Sequence, residues 1–236
     1  MGNLMRKKLL ILLIVSAALA VTLTGCGKKA LKVSGIISEI LNKEGIKKSS
    51  VVSVGDYKKF KRNFSEIVFR EDEFDRYIEE NFGKYGELSD ELVSEEFGFD
   101  SLEEFYEAKK EEYLNHLEIE QILEARDETI NYLISIAEFE LDDEEVANYS
   151  KQFVYSEQNY SLLFGYDSFD EYLKEERGMS EEAFLQECIE NGTRELKKVL
   201  IIGAVSYKEN LEEGIDTSDD MRFQDLENNF YDFFFE

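Results

Sequence analysis

The sequence predicts a mainly α-helical protein in which long antiparallel helices form an elongated arm or cradle, with a short extended or β segment near the N-terminus. Proline, which breaks helices, is absent from all 236 residues. The stretch from Ser101 to Phe139 also lacks glycine, and its apolar residues recur every three or four positions, the period of one helical face. The connections between predicted helices are only a few residues long, which places successive helices side by side and antiparallel.

The start of the long helix is marked by Ser101 with Glu104 three residues later, the capping-box pattern. At 1.5 Å per residue this helix would reach about 54 Å, more than the diameter of a small compact domain. We therefore expect it to pair with other helices along its length or to project as an arm. The predicted pairing partners are the helices that begin at Asp143 and Glu181.

The residues before the long helix have mixed local patterns. Val51 to Phe69 contains β-favouring residues interrupted by a Gly-Asp pair, which predicts one or two short strands or extended segments. Glu71 to Phe82 has helical spacing, and Ser89 begins a short helix that Gly98 closes.

Four more helices are predicted after the long one, and the start of each is marked by a Ser or an Asp. They run from Asp142 to Gly165, from Phe169 to Arg177, from Ser180 to a point near Gly214, and from Ser218 to the C-terminus.

Acidic residues outnumber basic ones by 53 to 27, and the formal net charge is −26. This charge repels the phosphates of nucleic acid, so a nucleic-acid partner is excluded. It also argues against a broad electrostatic membrane patch on the main body of the protein.

The first 25 residues have the organisation of a secretory signal peptide. A basic Arg6-Lys7-Lys8 cluster precedes an apolar run from Leu9 to Val21, which is too short for a comfortable membrane span. Leu23-Thr24-Gly25-Cys26 then resembles the lipobox of bacterial lipoproteins, in which the cysteine is acylated and the chain is cut before it. The resemblance implies a lipid anchor on Cys26 and the extracytoplasmic face of the cell membrane. The alternative is an ordinary secretory peptide with a chance cysteine.

Residues 26–50, which follow the cleavage site, carry six lysines against two glutamates. We interpret them as a solvated tether. In an alternative interpretation the lysines contact anionic headgroups while four apolar side chains dip into the membrane interface. Those side chains are Ile36, Ile37, Ile40 and Leu41.

Signatures of covalent chemistry are missing from the sequence. His116 is the only histidine, and a lone helical histidine is usually a surface or packing residue. Cys188 lies in a helical pattern and is expected to be buried rather than reactive. No common metal, redox, acyl-transfer or phosphate-loop motif is present, so we expect no cofactor, no metal and no enzymatic activity.

Aromatic residues are abundant, with 18 Phe and 13 Tyr but no Trp. Most should pack in the core, but a thin helical body has limited interior, so some should line a groove that holds extended or unfolded polypeptides. The candidate contact residues are Phe105, Tyr113, Tyr149, Phe153, Tyr160, Phe230 and Phe234.

Several segments occur in a characteristic order. They are GFDSLEEF at 98–105, ILEARDETINYLISIAEFELDDEEV at 122–146, GYDSFDEYL at 165–173, GMSEE at 178–182, RELKKVLII at 194–202 and IDTSDD at 215–220. Over about residues 88–227 this series resembles the C-terminal, substrate-binding domain of trigger factor, a helical chaperone fold like that of SurA. VSVGDYKKFK at 52–61 resembles a segment of exported lipoprotein relatives of trigger factor.

The departures from that family are informative. Leu141-Asp142 stands where the family usually has Leu-Pro, no ribosome-docking domain precedes the match, and no FKBP-type prolyl isomerase domain fits before Leu88. The resemblance therefore implies the chaperone part without the isomerase part. The expected organisation is a signal peptide (1–25), the lipidated cysteine and tether (26–50), a short strand and helix segment (51–87), and the helical domain (88–236).

The sequence thus predicts a lipid-anchored chaperone-like protein that binds unfolded or partly folded exported proteins without covalent chemistry. Two alternatives stay open. One is a structural or adaptor lipoprotein that docks one specific partner, and the other is a protein that retains prolyl isomerase activity.

Overall fold

A computed structural model describes residues 29–218 and 220–235. The predicted signal peptide and the lipidation site Cys26 lie outside these residues. The described chain is mainly α-helical, with eight helices and one two-stranded antiparallel sheet, which confirms the predicted fold class. The helices are α1 Gly35–Lys43, α2 Glu71–Phe82, α3 Asp90–Phe97, α4 Leu102–Ile136, α5 Asp143–Leu163, α6 Phe169–Glu175, α7 Glu181–Glu209 and α8 Arg222–Phe234; the strands are β1 Ser50–Ser53 and β2 Glu138–Glu140.

The chain divides into two compact units. Unit 1 contains the described residues up to Tyr57 together with Leu133–Phe230, and unit 2 contains Lys58–Tyr132 with the C-terminal residues from Tyr231. Each unit is therefore built from two segments that are separated along the sequence.

The centre of unit 1 is the pair of helices α5 and α7. A Cβ atom built on Gly192 of α7 would lie 2.7 Å from the Cα atom of Ser150 in α5, so the two backbones approach closely there. Further along α5, Glu157 forms an ion pair with Arg177, which also pairs with Glu187 at 2.9 Å. Because residue numbers rise along α5 as they fall along α7, the two helices run antiparallel.

Helix α1 packs against the second half of α7. This packing changes the interpretation of residues 26–50 as a tether. Ile36, Ile37 and Leu41 are buried, with Ile37 fully so, and Ile40 is half-buried. A Cβ atom on Gly203 would lie 2.7 Å from Ile37 Cγ2. The described part of the segment is thus neither a solvated tether nor a set of apolar side chains available to a membrane, because its apolar face belongs to the core of unit 1.

The sheet pairs β1 with β2, and because of β2 the long helix ends earlier than predicted. Val51 lies opposite Phe139, and Ser50 lies opposite Glu140. The helix ends at Ile136, so Phe139 is a strand residue. Periodicity alone did not show this, because the partner strand is nearly ninety positions away along the chain.

Glu145, in the first turn of α5, fastens the loop before β1. Its carboxylate accepts hydrogen bonds from the backbone N–H groups of Lys47, Lys48 and Ser49 at 2.6 to 2.8 Å. Asp142 caps the same helix by accepting from the Glu145 N–H group. One buried carboxylate therefore satisfies three donors of a segment remote in sequence.

The core of unit 2 is built mainly from aromatic rings. Its buried members are Phe74, Ile78, Val93, Phe105 and Tyr113. Partly buried rings from α2, α3 and α4 surround them; for example, the Phe82 and Phe105 centroids lie 5.1 Å apart in an edge-to-face arrangement. Large rings fill the space between these three helices, and this packing accounts for many of the aromatic residues in unit 2.

The C-terminal residues from Tyr231 complete unit 2. Phe234 is fully buried beside Phe60, and its carbonyl accepts a hydrogen bond from the Arg62 N–H group. The Arg126 guanidinium lies 4.8 Å from the centre of the Tyr231 ring. The aromatic tail is therefore packed rather than displayed.

Most of the predicted helix starts are confirmed by caps. The Oγ atoms of Ser89, Ser168 and Ser180 each accept the expected backbone N–H bond. The ends are less well predicted: α7 stops at Glu209 with Asn210 in the left-handed conformation, and α8 begins at Arg222 rather than Ser218.

Candidate polypeptide-binding surfaces

Four of the seven predicted contact residues are core residues in this structure. Phe105 and Tyr113 are buried in the aromatic core of unit 2, Phe230 is buried in unit 1, and Phe234 is buried in unit 2. A side chain without accessible surface does not touch a partner unless the fold opens. These four assignments are therefore corrected: the residues hold the fold together.

The other three predicted residues lie on α5. Tyr149 is half-buried. Its burial, and to a smaller extent the negative charges of Glu195 and Glu44, raise the pKa of its phenol. Phe153 is half-buried against a small apolar cluster that includes Phe184. Tyr160 is 51% exposed, so it is the one candidate that presents most of its ring to solvent.

Tyr160 belongs to a group of exposed apolar residues at the C-terminal end of α5 that we call the α5 patch, formed by Tyr160, Leu162, Leu163 and Phe164. The two leucines are 72% and 82% exposed, and Phe164 is 60% exposed. The ring centroids of Tyr160 and Phe164 lie 4.7 Å apart, so the rings form one continuous apolar surface. Gly165, with a φ of 78°, turns the chain immediately after it.

A compact foundation supports the α5 patch. Helix α6 packs Tyr172 and Leu173 against Phe184 and Cys188 of α7, and all four side chains are buried. The Tyr172 hydroxyl donates a hydrogen bond to Glu157 at 2.9 Å, and that carboxylate is also paired with Arg177. The patch is thus displayed at the end of a helix that is held on two sides.

Unit 2 has a second exposed apolar surface, which we call the α4 patch. It consists of Ile119, Ile122 and Leu123, which are 55%, 39% and 57% exposed. Ile119 also lines an open groove of about 730 Å³ between α2 and α4, with Tyr77 and Ala108 among its apolar walls and carboxylates such as Glu111 along its edge.

Leu162, Phe164 and Ile119 were not among the predicted contact residues. The available signal was the uninterrupted run Leu162-Leu163-Phe164 next to Gly165. Three successive residues on a helix point about 100° apart, so they cannot all face one core. At least one must be exposed, and in the structure all three are.

The cysteine and the histidine among the described residues are Cys188 and His116. Cys188 is 3% exposed, and burial, with the neighbouring charge of Glu187, raises the pKa of its thiol to about 11. His116 lies on the surface, 3.3 Å from Glu120. No cluster of His, Cys, Asp or Glu side chains in the described ranges is placed to hold a metal ion.

Within 29–218 and 220–235, no helix combines the length and the apolar character that a bilayer crossing requires.

Comparisons of this chain with protein-family models, with curated proteins and with solved structures found no match.

Proposed function

We propose that this protein is a lipid-anchored, extracytoplasmic chaperone-like protein that binds nonnative segments of exported proteins without covalent chemistry. The observation that carries the proposal is the α5 patch, in which two leucines and a phenylalanine are each at least 60% exposed at the end of a well-supported helix. Localisation to the membrane rests on the lipobox resemblance at Cys26.

The energetics of the α5 patch favour transient capture of apolar segments. Burying a leucine or phenylalanine side chain contributes roughly 1.5 to 3 kcal/mol, so several large apolar side chains exposed at one helix end are available for binding. Most nonnative chains expose apolar side chains, so the patch needs no particular partner sequence. The net charge of −26 opposes self-association through the same surface.

The test uses the mature lipidated protein reconstituted in vesicles, with empty vesicles as the blank, added to an aggregating model protein. We expect suppression of aggregation by the wild type. Replacing two highly exposed leucines, Leu162→Gln with Leu163→Gln, should weaken client affinity by at least about tenfold, because roughly 2 kcal/mol of apolar contact is lost.

A matched control removes apolar surface elsewhere. Val68 and Met221 are 67% and 58% exposed and lie outside both patches. The double variant Val68→Gln with Met221→Gln should suppress aggregation as well as the wild type does. Equal loss in both double variants, or no suppression by the wild type at severalfold molar excess, would contradict the proposal.

A second candidate is an adaptor that docks one folded partner. The small size of the α5 patch, four residues at one helix end, favours it, since a single partner pocket can enclose such a surface. The two functions separate by titration with folded and unfolded forms of the same model proteins. A chaperone binds many unfolded forms weakly, whereas an adaptor binds none of them and retains one stoichiometric folded partner.

A further inference from the structure

The described chain is fixed to unit 1 almost as soon as it leaves the lipidation site. The Leu31 N–H group donates a hydrogen bond to the Val51 carbonyl at 2.9 Å, and the Ser34 N–H group donates to the Gly203 carbonyl at 2.9 Å. Four residues separate Cys26 from Leu31. Even a fully extended chain spans only about 17 Å over that distance.

The surface around Leu31 consists of exposed side chains from three parts of unit 1. The Lys32 ammonium lies 5.7 Å from the centre of the Tyr207 ring, and that ring is 49% exposed. Leu31, which is 37% exposed, and Lys47 line the same small cavity of about 250 Å³. We call Leu31, Lys32, Lys47 and Tyr207 the basal surface.

The composition of the basal surface suits a bilayer interface. It combines two exposed lysines with a partly exposed leucine and an exposed tyrosine, in a protein whose net charge is otherwise strongly negative. Lysines attract anionic headgroups, and tyrosine rings are favoured at the headgroup level. The carboxylate of Glu212 in this region is engaged by the N–H groups of Gly35 and Ile36 at the start of α1.

The α5 patch lies at the other end of the same unit. Tyr207 and Phe184 are separated by about 35 Å along α7, because each helical residue adds 1.5 Å. Phe184 belongs to the cluster that supports the end of α5, whereas Glu145, at the start of α5, holds Lys47 through its backbone. Leu163 is about 27 Å along α5 from Glu145.

We propose that the basal surface lies against the anionic headgroups of the membrane and that the α5 patch consequently faces away from it. This inference rests on the proposed lipid anchor, because the short connection to Cys26 is what brings the surface to the bilayer. The consequence for function is that clients approach the α5 patch from the aqueous side without competition from lipid.

The experiment measures quenching of a fluorophore by headgroup-labelled lipid. The mature lipidated protein carries a thiol-reactive fluorophore at Tyr207→Cys or at Leu163→Cys, in vesicles of phosphatidylcholine and phosphatidylglycerol. Native Cys188 is buried, and the raised pKa of its thiol keeps it unreactive, so the protein without an added cysteine provides the labelling blank. We expect loss of fluorescence at position 207 and none at position 163.

Charge reversal tests the role of the lysines. Lys32→Glu should lower the equilibrium constant for contact between the basal surface and anionic vesicles by at least about fivefold, because loss of one lysine near such a surface has about that effect and the new carboxylate adds repulsion. The fluorophore at position 207 should then be quenched less. Lys174→Glu is the matched control, because Lys174 is exposed on α6 and pairs with Asp170. It should leave the quenching unchanged.

The outcomes separate this inference from the proposed function. Equal quenching at positions 207 and 163, or stronger quenching at 163, would overturn the orientation even if aggregation is suppressed. Quenching as expected in a protein that fails to suppress aggregation would support the basal surface and contradict client binding. A mature chain whose mass shows no acyl groups on Cys26 would overturn the inference at its premise.

Discussion

Glu145 is the residue whose role is defined most closely by its contacts. It is 6% exposed, and its carboxylate accepts three backbone N–H bonds from Lys47 to Ser49. Burial by itself would raise the pKa of this carboxyl, but the three donors outweigh it and hold the pKa below the usual value of 4.5. The residue therefore joins the N-terminal segment to α5 most strongly while it is ionised.

Replacing this carboxylate gives a prediction with a defined pH dependence. Glu145→Gln should lower the free energy of unfolding at neutral pH by about 2 kcal/mol, because charge-assisted bonds to buried donors are lost. Since the folded pKa is depressed, the contribution of Glu145 is complete above its unfolded pKa and is lost as pH falls through the folded pKa. The difference between wild type and variant should therefore narrow below about pH 4.5.

Denaturant unfolding at several pH values measures this difference. Glu144→Gln is the control. The Glu144 side chain is 79% exposed and its ion pair with Lys48 is long, at 3.7 Å, so its loss should change the free energy of unfolding little. A difference between Glu145→Gln and wild type that stays constant down to acid pH would contradict the account.

At the scale of elements, the contact between α5 and α7 depends on a residue with no side chain. Gly192 lies in the middle of α7, where glycine costs about 1 kcal/mol relative to alanine. Its position is explained by packing: a Cβ atom there would lie 2.7 Å from Ser150 Cα and 2.8 Å from Ser150 N. Backbone atoms cannot move aside as a flexible side chain can.

Gly192→Ala should consequently destabilise unit 1 despite the better helix propensity of alanine. We expect a net loss of about 2 kcal/mol, in the range of overpacked cores. Gly35→Ala is the matched control, because a Cβ atom there meets only the Glu212 carboxylate at 3.6 Å. Thermal or denaturant unfolding measures the stability of each variant relative to the wild type. A Gly192→Ala protein as stable as the wild type would show that the two helices are not so closely packed.

Elements with local sequence signals could be predicted, whereas elements set by distant partners could not. Helix α2, Glu71–Phe82, has the predicted bounds, because its apolar spacing and following glycine are local signals. The strand at Phe139 and the burial of Ile37 are set by partners far along the chain, at Val51 and Gly203. Such contacts leave no mark in a local pattern of hydrophobicity.

The candidate binding surfaces also depend on contacts that local sequence patterns do not show. Aromatic residues at helical spacing are equally compatible with a core and with a binding face. Phe105 and Phe234 were therefore predicted as contact residues, although the structure buries both of them in the core. Tyr160 was predicted as a contact residue and is exposed, and its neighbours Leu162 and Phe164 extend the surface. Their exposure depends on where α5 ends relative to α6, which is a tertiary feature.

At the scale of the whole molecule, the basal surface and the α5 patch lie towards opposite ends of α7 within unit 1. The basal surface begins five residues after the proposed lipidation site, and the α5 patch lies at the opposite end of α7 from Tyr207. Unit 2 contributes the α4 patch, a second exposed apolar surface on the long helix. A protein organised in this way would hold nonnative chains close to the membrane without presenting its binding surface to lipid.

The most direct test of client binding is site-specific crosslinking to a defined nonnative chain. A photoreactive phenylalanine analogue at position 163, which is 82% exposed, is irradiated with a permanently unfolded, reduced and carboxymethylated model protein or with its native form. The matched control carries the analogue at Lys151, an exposed position on the same helix. We expect crosslinks at position 163 with the unfolded form only and few at position 151. Equal yields at the two positions, or equal yields with native and unfolded forms, would contradict the proposed function.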